Sequence, residues 1–269
     1  MRPLSRLALA GLLLSATLTQ TGCGYIRYLI PLTPSASGES APLTHEAYTE
    51  LLKKYVDERG MVNYRTLQQD SATLNSYLRE VSTHLPTRNW TDNDRLAYFI
   101  NAYNAFTLQR IVLAYPVKSI KDLGGPKTLV NSVWDQDFIT LGDKQYTLND
   151  IEHRVIRNNY KDNRIHVALV CAAMSCPRLR REAYVGPQLN AQLNDQADHF
   201  VNNPAKNDLT PPDAPTVSSI FNFFPKDFRK NGSTSIQDFI NQHAAAGKKI
   251  KPDATLKFKE YDWSLNEQK

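Results

Sequence analysis

A long apolar segment places the strongest constraint on how this chain can fold. Residues 96–113 carry apolar side chains on nearly every face of a helix, and Pro116 ends the segment. A helix that is apolar all round is enclosed by the rest of the protein. Thr91, with Asp94 three residues later, has the pattern of a capping box and predicts where the helix begins. We therefore expect a buried helix between Thr91 and Pro116.

Two asparagines interrupt this apolar helix. Asn101 and Asn104 are three positions apart and therefore lie on one face. A buried amide without partners costs about 1–3 kcal/mol, so both side chains must be hydrogen-bonded. One interpretation is that they hold a neighbouring loop in place, and the other is that they orient a catalytic group.

The remaining chain predicts a mixture of helices and strands. Residues 138–147 place a Gly-Asp turn between two short runs, which is the pattern of a hairpin. Asn149, followed by Glu152, is typical of the start of another helix. The β-branched and apolar run Arg164–Val170 favours a strand that is covered on both faces. Regular βαβ alternation is missing, so we expect one α+β domain over residues 43–266, with a mixed sheet packed by several helices.

The composition is that of a soluble globular protein, with 41% hydrophobic and 22% charged residues. The formal net charge is +5. Loss of Arg2 and Arg6 with an N-terminal signal would lower it by two, to about +3. No basic run is interleaved with aromatic residues. These features argue against a nucleic-acid partner.

The N-terminal residues have the pattern of a secretion signal. Arg2 and Arg6 precede the apolar stretch Leu7–Leu18, which is too short to span a bilayer. We expect residues 1–22 to be removed as a signal peptide. The alternative interpretation is a short membrane anchor.

A cysteine follows this signal at a position that matters for membrane attachment. Residues 21–23, Thr-Gly-Cys, resemble the box of bacterial lipoproteins, although Gln20 stands where that motif usually has Leu. The resemblance implies that Cys23 is lipidated and anchors the protein to a membrane. Gly24 in place of Asp implies the outer membrane of the cell envelope, with the domain facing the periplasm. Residues 23–42 are rich in Pro, Ser and Gly, so we expect a lipidated N-terminus and a flexible tether.

Reactive groups concentrate in residues 151–181. The segment holds two of the six histidines, two of the three cysteines and a run of arginines. Cys171 would lie at the end of the expected strand, where its thiolate could attack a substrate if His153 or His166 lowered its pKa. Three further residues could orient such a base: Glu152, Asn101 and Asn104. Spacing alone does not show that these groups meet.

Each of these residues also has a structural interpretation. Cys171 could be a small buried hydrophobe, or it could pair with Cys176, because an envelope compartment is oxidising. His166 could be a hydrogen-bonded core residue, and Glu152 could be the acid of a capping box. Side chains of adjacent helical residues diverge by about 100°, so Glu152 and His153 should each have a separate partner.

Other ligand sites receive less support from the sequence. No standard zinc spacing joins the four candidate ligands His153, His166, Cys171 and Cys176. The sequence has no phosphate-binding glycine loop and no G-x-S-x-G motif, and it indicates no cofactor. Arg178, near Arg180 and Arg181, is a candidate for binding an anion, although a solvated charged face explains the same pattern.

Several motifs occur along the chain in a specific order. They are Ile100–Asn104, Ile151–His153, His166–Cys171 with Ser175–Pro177, Ser218–Phe221 with Lys226–Phe228, and Tyr261–Asn266. Together they resemble the signatures of the domain of unknown function 547 (DUF547) family, over roughly residues 45–266. The resemblance implies one domain that occurs in bacterial envelope proteins and within longer plant proteins. It implies no established activity.

The resemblance also bears on the two cysteines. In the family the position of Cys171 is more constant than that of Cys176, which implies a role for Cys171 other than in an obligatory disulfide. A more distant similarity is to papain-like and transglutaminase-like folds. In that comparison Asn101 stands where a catalytic cysteine would be required.

Two kinds of function therefore remain open. The first is a thiol-dependent hydrolase or acyl transferase, in which Cys171 attacks an unidentified small-molecule or protein substrate. The second is a non-catalytic binding or scaffolding lipoprotein, whose Asn, Glu, His and Cys residues form a structural polar network. A cleft in which Cys171 bonds a histidine would favour the first, and mutually satisfied side chains without a cleft would favour the second.

Overall fold

The computed structural model of the protein describes residues 27–125 and 132–269. The expected signal peptide and Cys23 lie outside these described residues. Within the two described ranges, no helix has both the length and the apolar character that crossing a bilayer requires.

Helices make up most of the regular structure. In chain order the α-helices are α1 (Glu46–Tyr55), α2 (Tyr64–Gln69), α3 (Ser71–Thr83), α4 (Asp92–Ala114), α5 (Ile165–Ala168), α6 (Leu189–Asn202), α7 (Ile220–Phe223) and α8 (Ile236–His243). A π-helix spans Asp150–Arg157, and short 3-10 helices span Ile120–Leu123, Val133–Asp135, Gly186–Gln188 and Asp227–Arg229.

The buried helix and its capping box are both confirmed in α4. The Thr91 hydroxyl accepts a hydrogen bond from the Asp94 N–H at 3.1 Å, and the Asp94 carboxylate accepts one from the Thr91 N–H at 3.1 Å. Every residue from Leu96 to Leu108 is buried. Helices α2, α3 and α6 and the π-helix all pack against α4, which explains why it is apolar on every face.

The strands are short and form two separate pairs. β1 (Ile139–Leu141) and β2 (Lys144–Tyr146) form the predicted antiparallel hairpin. β3 (Thr216–Val217) and β4 (Lys257–Phe258) pair in parallel. The α+β class is therefore confirmed. The expected mixed sheet does not form among the described residues, because helices rather than strands occupy the centre of the domain.

The predicted strand Arg164–Val170 is wrong. Residues Ile165–Ala168 form α5, in which the Leu169 N–H donates to the Ile165 carbonyl at 3.1 Å, and the backbone becomes extended only at Leu169. All four residues of α5 are buried, so the predicted coverage on both faces is correct. A short apolar run has the same composition in a buried helix as in a buried strand, and its periodicity does not distinguish them.

Helix α5 lies between two hydrophobic clusters. Ile165 and Ala168 belong to a large cluster built around α4, whereas Val167 belongs to a smaller cluster that includes residues of α6 and α8. Tyr261 packs against both clusters. His166 is therefore placed at the boundary between them.

The segment before α1 contacts the domain over much of its described length. The Leu32 N–H donates to the Arg154 carbonyl at 2.9 Å, and the Trp90 indole N–H donates to the Ser40 carbonyl at 2.9 Å. Residues 27–42 of the expected flexible tether thus include positions that are hydrogen-bonded to the domain.

Candidate functional site

A pocket opens at the boundary between the two clusters. Its cavity volume is about 220 Å³. Its walls are mainly aromatic and include Tyr103, Trp134, Phe223, Phe224, Tyr261 and Trp263. The polar and sulfur-containing side chains that line it include Glu152, His153, His166, Cys171 and Cys176. The fold therefore brings the reactive residues predicted from the sequence around one cavity.

Glu152 and His153 reach this pocket from the π-helix. The predicted capping box of Asn149 and Glu152 is wrong, since the reciprocal hydrogen bonds join Thr147 and Asp150 at 2.9 and 3.1 Å. Because Asp150 supplies the acid of this pair, the Glu152 carboxylate is left to line the pocket. A π-helix is rare in proteins and is frequently found at functional sites.

His166 is held between two acids. Its Nε2 lies 2.8 Å from Asp227 Oδ2, and its Nδ1 lies 3.6 Å from Glu152 Oε1. The Phe224 ring stacks on the imidazole, with centroids 3.7 Å apart. The side chain of His166 is 2% exposed and that of Glu152 is 11% exposed. Glu152 is therefore the member of this group that presents more of its surface to the cavity.

Asp227 is a site residue that the sequence pattern does not predict. Its carboxylate accepts a hydrogen bond from Arg157 Nε at 2.6 Å and pairs with Lys230 Nζ at 2.6 Å. Burial raises the pKa of Asp227, but hydrogen bonds from His166 and Lys230 outweigh burial and hold this pKa well below its ordinary value. Asp227 is thus ionised and accepts a hydrogen bond from His166 Nε2. The signal in the sequence is a single acid among Phe221, Phe223, Phe224 and Phe228.

Glu152 faces one nitrogen of His166 and the hydroxyl of Tyr103. Because Nε2 of His166 donates to Asp227, its Nδ1 is the nitrogen that faces Glu152. The Tyr103 hydroxyl approaches the other Glu152 oxygen at 3.5 Å. A carboxyl group, an imidazole and a phenol hydroxyl therefore lie side by side at the wall of the pocket.

His153 has a partner of its own, as the sequence predicted. Arg157 Nη1 donates to His153 Nδ1 at 2.9 Å, and the Tyr28 ring meets the imidazole edge-on with centroids 5.3 Å apart. Burial lowers the pKa of His153, and the charge of Arg157 lowers it further against the opposing effect of Glu152. His153 is thus a half-buried residue of the pocket wall that bonds Arg157 rather than Cys171.

Cys171 and Cys176 form a disulfide, with Cα atoms 6.3 Å apart. Of the interpretations left open for Cys171, the structure has the disulfide, and neither His153 nor His166 is hydrogen-bonded to its sulfur. The chain reverses within the loop, where the Cys176 N–H donates to the Ala173 carbonyl at 3.0 Å. That reversal brings the two sulfurs together.

Tyr261 connects the disulfide to the acidic group. Its hydroxyl lies 3.2 Å from Cys176 Sγ and 3.4 Å from Cys171 Sγ. Burial, and then the charge of Glu152, raise the pKa of Tyr261, so the hydroxyl keeps its proton and can donate it to a sulfur. Tyr261 opens the last of the motifs seen in the sequence, but no spacing in the chain predicts this contact.

Asn101 and Asn104 both bind backbone. Asn101 Nδ2 donates to the Tyr184 carbonyl at 2.7 Å and its Oδ1 accepts from the Tyr184 N–H at 2.9 Å. Asn104 Nδ2 donates to the Ala168 carbonyl at 3.0 Å and its Oδ1 accepts from the Val170 N–H at 2.9 Å. These contacts correspond to the loop-holding interpretation. Asn104 fixes the segment that leads from α5 to the disulfide.

The two remaining candidate ligand sites find no support in the geometry. Arg178 donates to Asp195 at 2.7 Å and to Gln196 at 3.2 Å, and the neighbouring arginines also pair with acids, so an anion would compete with these carboxylates. Within residues 27–125 and 132–269, no group of three or more His, Cys, Asp or Glu side chains could hold a metal ion.

The fold and the site define an α+β domain with an aromatic pocket, in which an acid–histidine–acid group lies beside a disulfide. Residues 87–201 match the model of the family described as "Protein of unknown function, DUF547". This match supports the resemblance to the DUF547 family over these residues. No curated protein and no solved structure matches the chain. The matched range includes Glu152, His166 and both pocket cysteines, whereas Asp227 and Tyr261 follow it.

Proposed function

We propose that this domain binds a small, largely apolar molecule in the pocket and exchanges a proton with it through Glu152. The observation that carries the proposal is the position of Glu152 beside His166 Nδ1. Asp227 holds the same imidazole at its other nitrogen, Nε2. A carboxyl group in a mostly apolar pocket, backed by a second titratable group, is a common arrangement for general acid–base catalysis.

The shape and chemistry of the pocket limit what it can bind. Its walls present the faces and edges of aromatic rings, which favour planar apolar molecules. Burying a carboxylate or phosphate of the ligand beside Glu152 would be unfavourable, because like charges repel strongly in a pocket that excludes water. A neutral ring that carries one O–H or N–H group fits these conditions best.

Each residue of the group has a distinct role under this proposal. Glu152 accepts or donates the proton of the bound molecule. His166 holds that proton in reserve, and Asp227 fixes the imidazole and its Nε2 hydrogen. The Tyr103 hydroxyl is placed to donate to Glu152 when its carboxyl group is ionised.

The earlier hypothesis of a thiol-dependent hydrolase or acyl transferase requires a reduced Cys171. In the disulfide with Cys176, Cys171 has no thiol, which supports the choice of the Glu152 carboxylate as the reacting group in this proposal. The alternative of a non-catalytic binding or scaffolding protein is favoured by one observation. Asn101 and Asn104, from the same motif, bind only backbone and serve the architecture.

Binding can be tested with 2-naphthol, a planar molecule with one hydroxyl group. Two of the three tryptophans, Trp134 and Trp263, line the pocket, and Trp90 does not. Bound 2-naphthol should quench tryptophan fluorescence, and the quenching should persist in Trp90→Phe. Failure of 2-naphthol to quench, or loss of the quenching in Trp90→Phe, would contradict binding in this pocket. Glu152→Gln then tests proton transfer separately from binding.

We also propose that Cys23 is lipidated and anchors the domain to the outer membrane. The support is the pattern of residues 1–23, with a positive start, a short apolar stretch and a terminal cysteine. Labelled palmitate should be incorporated when the full chain is made in a bacterial host, and Cys23→Ser should abolish the label. Equal labelling of the two proteins would contradict the anchor.

A further inference from the structure

One of the two disulfide sulfurs lies within reach of a molecule in the pocket. Cys171 is partly exposed in the pocket wall, whereas Cys176 is 3% exposed. The loop between them is tied to the C-terminal segment, since the Met174 N–H donates to the Ser264 carbonyl at 2.8 Å. On the other side, Asn104 holds the N–H of Val170. The disulfide is therefore presented to the cavity in a fixed position.

Two hydrogen-bond donors contact the buried sulfur. The Cys171 N–H donates to Cys176 Sγ at 3.1 Å, and the Tyr261 hydroxyl lies 3.2 Å from the same sulfur. These donors would stabilise negative charge on Cys176 Sγ far more than they stabilise the neutral disulfide. Cys176 is thus prepared to leave as a thiolate when Cys171 is attacked.

We propose that the pocket carries out thiol–disulfide exchange with a small, neutral, apolar thiol. This inference rests on the proposed function, because it requires that the pocket bind a small apolar molecule, and it specifies the class of that molecule. It also gives the disulfide and Tyr261 a role that proton transfer at Glu152 does not explain.

The exchange consists of two balanced steps. The sulfur of the first thiol attacks Cys171 Sγ, the bond to Cys176 Sγ breaks, and a mixed disulfide forms on Cys171 while Cys176 leaves as a thiolate. Glu152 takes the proton that the incoming thiol loses. A second thiol then attacks the outer sulfur of the mixed disulfide, the bond to Cys171 Sγ breaks, and an organic disulfide is released. Cys171 Sγ takes the proton of the second thiol, and the Cys176 thiolate takes the proton held by Glu152. Two thiols are oxidised to one disulfide, and the Cys171–Cys176 pair is reduced to two thiols.

The aromatic walls of the pocket indicate which kind of thiol should react faster. Benzyl mercaptan can place its ring against Trp134, Phe224 and Trp263, whereas 2-mercaptoethanol has no ring to bury. Burial of one aromatic ring typically supplies enough free energy for at least about a tenfold gain. We therefore expect the aromatic thiol to react faster after correction for its intrinsic reactivity.

The experiment measures reduction of the oxidised full chain by each thiol, with alkylation and mass spectrometry as the readout. The rate with each thiol is divided by the rate at which the same thiol reduces a disulfide-bonded peptide of residues 169–178, which corrects for the intrinsic reactivity of the thiol. The normalised rate for benzyl mercaptan should exceed that for 2-mercaptoethanol by at least about tenfold, and 2-naphthol should slow it by competition. A ratio near one, or the absence of competition, overturns the inference.

Two tyrosine variants test whether the Tyr261 hydroxyl stabilises Cys176 Sγ as the leaving group. Tyr261→Phe keeps the ring but removes the hydroxyl, so reduction by benzyl mercaptan should slow by about tenfold. Tyr55→Phe removes a hydroxyl that bonds Asp70 and does not line the pocket, so its rate should equal that of the wild type. An unchanged rate in Tyr261→Phe overturns the inference. If Tyr261→Phe does not fold, the wild-type ratio and the competition by 2-naphthol decide.

The outcomes separate this inference from the proposed function. If 2-naphthol fails to bind in the pocket, the proposed function fails and the exchange fails with it. If 2-naphthol binds but the normalised rates of the two thiols are equal, only the exchange is overturned.

Discussion

His166 and Asp227 are joined by a hydrogen bond of 2.8 Å, although 61 positions separate them in the chain. The bond ties α5 to the 3-10 helix Asp227–Arg229. Because Asp227 also binds Arg157 and Lys230, its carboxylate has a fixed position and fixes the imidazole in turn. The consequence is that the other nitrogen of His166 faces Glu152 at the wall of the pocket.

Removal of the Asp227 charge should destabilise the fold. Asp227→Asn leaves the guanidinium of Arg157 and the ammonium of Lys230 without their carboxylate, and we expect the free energy of unfolding to fall by about 3 kcal/mol. Urea denaturation checks this value. Asp253→Asn is the matched control, because Asp253 is exposed, and it should change stability by less than about 0.5 kcal/mol. Equal effects of the two variants would contradict the role of Asp227.

The same variant should alter the response to acid. The pKa of Asp227 in the folded protein lies below its ordinary value of about 3.9. Its stabilising effect is therefore fully present above about pH 4 and is lost as the pH falls through the folded pKa. The difference in unfolding free energy between wild type and Asp227→Asn should shrink below about pH 4. A difference in unfolding free energy that stays constant from pH 7 to the lowest pH at which both proteins fold would contradict the lowered pKa of Asp227.

Asn104 and Asn101 form a natural pair for comparison. Each alanine variant removes two hydrogen bonds to buried backbone, so each should destabilise the protein by about 2–4 kcal/mol in urea denaturation. Only Asn104 holds the segment that leads to Cys171, since it binds Ala168 and Val170. Asn104→Ala should weaken 2-naphthol binding in fluorescence titration, whereas Asn101→Ala should not. Equal weakening by both variants would show that Asn104 has no special link to the pocket.

His153 should contribute a loss of stability at mildly acidic pH. Its pKa is lowered in the folded state, so the unfolded chain binds the proton more tightly and stability rises with pH. The effect begins as the pH falls below about 6.5 and amounts to at most about 1.4 kcal/mol per pH unit. His153→Gln should reduce this slope between pH 5 and 7 in urea denaturation monitored at several pH values. An unchanged slope would contradict the lowering of the His153 pKa by burial and by the charge of Arg157.

The sequence was most informative where local chemistry decides the structure. The hydroxyl of Thr91 and the carboxylate of Asp94 make a capping box within one helical turn, and the pattern predicts it directly. The hairpin around Gly142 follows in the same way, because its turn and its short strands are contiguous. The buried helix α4 was recognisable because its apolar faces leave no side for solvent.

The sequence was least informative where distant elements decide the structure. The residues of α5 are enclosed by two clusters whose members lie far apart in the sequence. Burial on all sides removes the hydrophobic periodicity that would distinguish a helix from a strand. The pattern of Asn149 and Glu152 predicts a cap that does not form, because the neighbouring pair Thr147 and Asp150 has an equally common pattern and makes the hydrogen bonds instead. Asp227 and Tyr261 reach the pocket only through tertiary packing, so no spacing in the chain joins them to His166 or Cys171.

The central claim, that Glu152 exchanges a proton with a bound molecule, is tested most directly by the emission of bound 2-naphthol. Excitation makes this molecule a much stronger acid, and transfer of its proton to a neighbouring base shifts its emission to the naphtholate band. We expect naphtholate emission from the wild-type complex and from the exposed control Glu50→Gln. Glu152→Gln should bind the probe with similar affinity but emit only in the naphthol band. The same naphtholate fraction in Glu152→Gln as in the wild type would contradict the claim.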